Sequence, residues 1–207
     1  MPDAAGDRLL DLVGAIRSAK SGTAGMYAAL AERMPSVEAS LAVRRLADEE
    51  TDHASRLALL PGSGNVTVRK AAIAPGCGLN DEDWPSALMA AFALDQAATA
   101  ALVAIARLGN GSLAEVAAWM VDEEKAHQSF AIAAFRAVAD RDAESSRRLA
   151  TEMLVARDWV KRVFPRHATL VELASLGLLP SEAARVHDSF LASLGDRVQE
   201  ALGVLGD

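Results

Sequence analysis

With one cysteine in 207 residues, the chain has no intrachain disulfide and must be held together by its own core. Aromatic residues make up only 4% of it, and runs of β-branched residues are scarce, which argues against a sheet. Basic clusters are missing beyond short groups such as Arg147-Arg148 and Lys161-Arg162. With a net charge of −7 and an isoelectric point near 5.1, a phosphate-binding surface for nucleic acid is not expected. The opening residues, Met1 to Arg8, lack the basic and apolar segments of a signal peptide, and Cys77 has no partner; a cytoplasmic location is the expectation.

Long hydrophobic runs are also rare. The one exception, Ala87 to Leu108, carries Asp95 and Gln96 near its centre, and Trp84-Pro85 before it provides no basic flank. An Asp there would cost about 2.5–3.5 kcal/mol on membrane insertion. The run is therefore read as a buried core helix, and no membrane partner is expected.

What the chain does have is 51% apolar residues, rich in Ala and Leu, the usage of packed helices. At this length a single domain is expected, with a core bundle over about residues 7–139 and further helices over 140–205. A first helix over 7–33 places Leu9, Val13, Ile16, Lys20, Thr23, Tyr27 and Leu30 on one stripe, with a lysine in the middle of the apolar face. Gly14, Gly22 and Gly25 each cost that helix about 1 kcal/mol relative to Ala; close helix packing, or a channel, is the expected use of the space. After Met34-Pro35-Ser36, a second helix over 36–60 turns Val43, Ala47, Glu50, Ala54 and Leu57 inward.

Pro61, Gly62, Gly64, Pro75, Gly76 and Gly78 then mark a long crossover. A third helix over 84–108 aligns Leu88, Phe92, Asp95, Thr99 and Leu102. A fourth over 113–139 aligns Val116, Met120, Glu124, His127 and Phe130. Three more helices follow, to 164, over 168–178 and over 181–205. His167 and His187 are read as surface residues. Two hairpins of long helices joined by a long connection make an all-α four-helix bundle of ferritin-like connectivity.

The chemistry is concentrated in one repeated string. Of four histidines, two close Asp48-Glu49-Glu50-Thr51-Asp52-His53 and Asp122-Glu123-Glu124-Lys125-Ala126-His127. Residues i and i+3 share a helix face, so each Glu-x-x-His aims a carboxylate and an imidazole at one point, and two facing motifs make four ligands. The acidic neighbours of Glu50 and Glu124 fall out of phase with the core. The motifs lie 74 residues apart, an offset that carries Lys20 onto Leu94, beside Asp95. Asp95 is thus the expected carboxylate of the third helix, with Gln96 its rival, and Lys20 holds the equivalent place on the first.

These residues resemble the rubrerythrin and ferritin-like superfamily of di-iron carboxylate proteins, whose first helix often reads Glu, six residues, Tyr, followed by an Ala-x-Glu-Glu-x-x-His helix. Here the corresponding residues are Lys20, Tyr27 and the helix from Leu46 to His53. The similarity covers about residues 7–138; the later helices are weakly similar to phenylacetyl-CoA epoxidase subunits. The resemblance implies Glu50, His53, Asp95, Glu124 and His127 as metal ligands for iron or manganese. Lys20 stands in place of the family's glutamate; Tyr27, two turns along the same face, is read either as a core aromatic or as a catalytic side chain beside the site. The resemblance further implies an oxidoreductase that activates dioxygen or peroxide toward a small organic substrate, with a redox partner; a homodimer is the expectation for a helical bundle with extra amphipathic helices.

Two alternatives stay open. One is a metal-free partner subunit in which Lys20 neutralises the carboxylates; the other is iron handling or peroxide scavenging, although no Cys-x-x-Cys pair is present for a rubredoxin module. A single ion, with Lys20 as a proton donor of depressed pKa, is also compatible with the residues.

Overall fold

The computed structural model describes residues 4–60, 83–108, 111–164 and 167–201. Among them are seven α-helices and no strand: α1 (Ala4–Ala31), α2 (Val37–Ala58), α3 (Trp84–Ala106), α4 (Ser112–Ala139), α5 (Ala143–Val163), α6 (His167–Ser175) and α7 (Ala183–Ala201). The expected all-α class holds, and the ends of α1 to α6 fall within a turn of those the periodicity predicts. The crossover, with Cys77, lies outside the described residues.

Local chemistry sets several of these boundaries. Pro35 cannot continue α1. The Ser36 hydroxyl caps α2 by accepting from the Ala39 N–H at 3.1 Å. Asp142 does the same for α5, accepting from Ser145 N–H at 2.7 Å. Gly111 begins α4 at φ +97°, a left-handed conformation in which a side chain would be strained.

Neighbouring helices pair as α1 with α2 and α3 with α4, and α1 also lies along α3. The apolar run of the sequence is α3, and 18 of its 23 residues are buried. It lies against α1, α4, α5 and α7 at once, so no face is left for solvent and no amphipathic stripe is needed. That enclosure explains a helix long and apolar enough to span a membrane by composition alone.

The core falls into two apolar clusters. One holds Leu12, Ile16, Leu57, Leu94, Leu102 and Met120; the other holds Tyr27, Leu30, Val43, Leu88, Phe92 and Phe135. Along α1, α2 and α4 the polar positions 20, 50 and 53, and 124 and 127 fall between these clusters, and Asp95 and Thr99 of α3 meet them at Lys20. The chemistry is held between two dry, close-packed layers.

Three expectations need correction. Val116 and Phe130 are half-buried; the fully buried stripe of α4 is Ala117, Met120, Glu124, His127, Ala131 and Phe135. His187 is no surface residue: it is 4% exposed, because α7 packs on α3 and turns Ala183, Ala184 and His187 inward. The side chain of His167 is not among those described.

Gly25 does not serve close packing either. It is exposed, and an added Cβ would meet nothing within 4 Å. Gly25→Ala is therefore expected to stabilise the fold by up to about 1 kcal/mol through helix propensity, measured by urea unfolding. A loss of stability would show that the position is needed bare.

Candidate metal centre

All seven residues singled out in the sequence, Lys20, Tyr27, Glu50, His53, Asp95, Glu124 and His127, are buried at 0% exposure, and α1 to α4 each contribute to the cluster. Lys20 does not snorkel to the surface. Its ammonium donates to Glu50 Oε1 at 3.2 Å and to Asp95 Oδ1 and Glu124 Oε1, with Thr99 Oγ1 at 3.5 Å. Asp95, not Gln96, meets the cluster. Gln96 is buried on the adjoining turn, and its amide finds no hydrogen-bond partner among the described residues.

The two histidines point their Nδ1 atoms inward. His53 Nδ1 lies 3.2 Å from Glu124 Oε1 and 3.5 Å from Glu50 Oε1. His127 Nδ1 lies 3.2 Å from Glu50 Oε1, 3.2 Å from Glu124 Oε2 and 3.5 Å from Asp95 Oδ2. The rings stack with centroids 6.0 Å apart.

Their outer nitrogens are tied across the motifs. His127 Nε2 lies 2.8 Å from Glu49 Oε2, and His53 Nε2 lies 2.9 Å from Glu123 Oε2. A carboxylate only accepts, so each Nε2 carries a proton and each ring is fixed with Nδ1 inward. Glu49 is held in turn by Arg45 Nε at 2.7 Å, one helical turn away.

Sequence reading missed these two glutamates. It set them aside as out of phase, and on their own helices they are, being 24% and 37% exposed at the side chain. They act on the opposite motif. The signal that could have found them was the repetition of the whole Asp-Glu-Glu prefix. Trp119 was missed as well: it meets the His53 ring edge-on at 5.4 Å and carries the Arg56 guanidinium 4.1 Å above it, closing His53 off from outside.

Burial and charge compete at every group. Burial alone would depress the Lys20 ammonium, but Asp95, Glu124 and Glu50 outweigh it and hold the pKa well above the ordinary lysine value. Burial raises Glu124, yet Lys20, His127 and His53 bring it well below the usual range. Asp95 is pushed up to about 7 by burial and by Glu124 and Glu50, against Lys20 and His127. For His53, burial is overcome by Glu124 and Glu50, which raise it to about 9. His127 is raised in the same way by Asp95, Glu124 and Glu50. Tyr27 packs edge-on to His127 at 6.4 Å; burial first, then Asp95, Glu50 and Glu124, push its hydroxyl up.

A pH dependence follows for the metal-free protein. A histidine raised on folding contributes stability that is complete below its unfolded value near 6.5 and is lost as pH climbs through about 9. Asp95, raised to about 7, acts in the same direction at lower pH. Glu124, being lowered, contributes above the ordinary carboxylate range and loses its share in acid. Chelator-treated protein is expected to lose about 2–3 kcal/mol between pH 6.5 and 9.5, since each tenfold difference in proton affinity between the folded and unfolded chain is worth roughly 1.4 kcal/mol. A flat profile in urea unfolding would count against charged imidazoles.

Glu50, Asp95, Glu124 and His127 each offer one donor atom, and these atoms lie within 4.8 Å of one another. The fit to a metal ion shows in what is left unsatisfied. Glu50 Oε2, Asp95 Oδ2, Glu124 Oε2 and both inward Nδ1 atoms are buried without a hydrogen bond of proper geometry. Orphaned buried groups are costly, and a cation shared by Glu50, Asp95, Glu124 and His127 would relieve them on those four residues. Glu49→Ala frees the His127 ring and is expected to lower Mn(II) affinity roughly 10–100-fold, read by equilibrium dialysis. Unchanged affinity would mean that His127 needs no outer support.

The sequence matches no protein-family model, and no curated protein is similar to it.

Proposed function

We propose that this chain is a ferritin-like metalloprotein whose buried carboxylate and histidine centre activates dioxygen or peroxide toward a small organic substrate. The observation that carries the reading is the convergence of Glu50, Asp95, Glu124 and His127 on one point with their free donor atoms unsatisfied. A mixed set of carboxylate oxygens and imidazole nitrogens suits iron or manganese. The pairing of α1 with α2 and of α3 with α4, with one donor helix from each half meeting the other, supports a ferritin-like arrangement.

When bound, such a metal supplies the redox electrons that dioxygen chemistry requires. The protein's own groups do the rest. Glu49 and Glu123 orient the imidazoles. Lys20 holds the three carboxylates together and brings a proton into a site with no solvent contact of its own. Tyr27 closes the site on the side of the second apolar cluster. The two apolar layers keep bulk water from the centre.

The test is dioxygen consumption by anaerobically Fe(II)-loaded protein, beside chelated protein and with peroxide as the alternative oxidant. Metal-dependent uptake above that of free iron supports the reading. Peroxide loss without dioxygen uptake moves it to scavenging.

One observation favours a second reading, a metal-free partner subunit. The Lys20 ammonium donates to Glu50, Asp95 and Glu124, and two histidines of raised pKa face the same carboxylates, with no ion at all. Protein that retains neither iron nor manganese after supplementation would favour it.

A further inference from the structure

The metal donors are shared unequally between the two histidines, and this limits how many ions the site can take. The 74-residue offset relates the pair α1 and α2 to the pair α3 and α4. Around His127 the donors are Glu50, Asp95, Glu124 and the imidazole itself. The same quartet built around His53 needs Glu124, Glu50, His53 and the α1 counterpart of Asp95. The offset itself falls on Ser21, which is exposed; the buried side chain beside it is Lys20, whose ammonium lies against Asp95. A protonated amine has no lone pair to give. His53 is left with two carboxylates that the first quartet already uses.

The oxygens divide accordingly. Glu50 Oε1, Asp95 Oδ1 and Glu124 Oε1 are turned toward Lys20. Their partners, Glu50 Oε2, Asp95 Oδ2 and Glu124 Oε2, are the unsatisfied ones. Two of these, Asp95 Oδ2 and Glu124 Oε2, lie 3.5 and 3.2 Å from His127 Nδ1.

Resting on the metal-binding reading above, we propose that the centre takes a single divalent ion, on the His127 side, and that the Lys20 ammonium stands in for a second. An ammonium in place of a carboxylate changes the charge of the site by two units, the charge of one divalent ion. A second divalent ion would add two further positive charges to a buried site that already holds the Lys20 ammonium among its three carboxylates, which a low-dielectric interior resists.

Mn(II) binding to the full chain, read by metal analysis and electron paramagnetic resonance, tests this without any assay of activity. The wild type is expected to saturate at one ion per chain with the spectrum of an isolated Mn(II), and Lys20→Glu at two with a spin-coupled spectrum. Should Lys20→Glu fail to fold, the histidines decide: His127→Ala weakens binding by well over about 100-fold, and His53→Ala by about 10–100-fold, the scale of a residue that supports ligands from outside the set. Two ions in the wild type, or the histidine losses reversed, overturn the single-ion proposal and leave the metal-binding reading intact. No ion in the wild type overturns both.

Discussion

Lys20→Met is expected to lower the unfolding free energy of the metal-free protein by about 3–5 kcal/mol, the cost of removing one partner from a buried ionic cluster. The side chain has 0% exposure and contacts Glu50, Asp95 and Glu124, three carboxylates that have no water to turn to when the ammonium is gone. Against a typical domain stability of about 5–15 kcal/mol, that is a large share. Methionine preserves most of the volume, so the loss reads charge and hydrogen bonding more than a cavity. Urea unfolding in the presence of chelator measures it. A variant within about 1 kcal/mol of wild type would mean that the carboxylates take up protons cheaply and that Lys20 is not the neutralising charge. Replacing such a cluster wholesale by apolar residues is often neutral or stabilising, so its retention is better explained by what the site does than by the stability it adds.

Glu124→Gln is expected to reduce Mn(II) affinity by at least about 100-fold and to bring metal-dependent dioxygen uptake down to background. Glu124 is the residue on which the whole centre converges: Oε1 accepts from Lys20 and lies 3.2 Å from His53 Nδ1, and Oε2 lies 3.2 Å from His127 Nδ1. An amide keeps the shape but has one acceptor oxygen and no charge. A loss of about 3–5 kcal/mol in the interactions of a buried charge corresponds to about two to three and a half orders of magnitude in affinity. Far-ultraviolet circular dichroism and equilibrium dialysis on the same sample separate folding from binding. Near wild-type affinity in a folded variant would remove Glu124 from the ligand set.

Some of this was legible along the chain. The stripe Leu9, Val13, Ile16, Lys20, Thr23, Tyr27 and Leu30 already put a lysine on the buried face of α1, and the two Glu-x-x-His strings put four ligands on the buried faces of α2 and α4. Helical spacing is a local property, so which side chains share a face can be counted from sequence alone. The all-α class and the turn residues at Pro35, Ser36 and Gly111 follow from equally local rules.

What faces what across the bundle is not local. Glu49 and Glu123 look idle on their own helices and become partners of His127 and His53 only because α2 and α4 meet at one height. His187 is polar and flanked by polar residues, yet α7 turns it onto α3. The sequence by itself determined the helices, the repeated donor motif and a lysine beside the position where symmetry places the counterpart of Asp95. Only the tertiary structure decided that this lysine binds all three carboxylates on one side and leaves their other oxygens unsatisfied, two of them beside His127, because the rotation and height of four packed helices set those contacts.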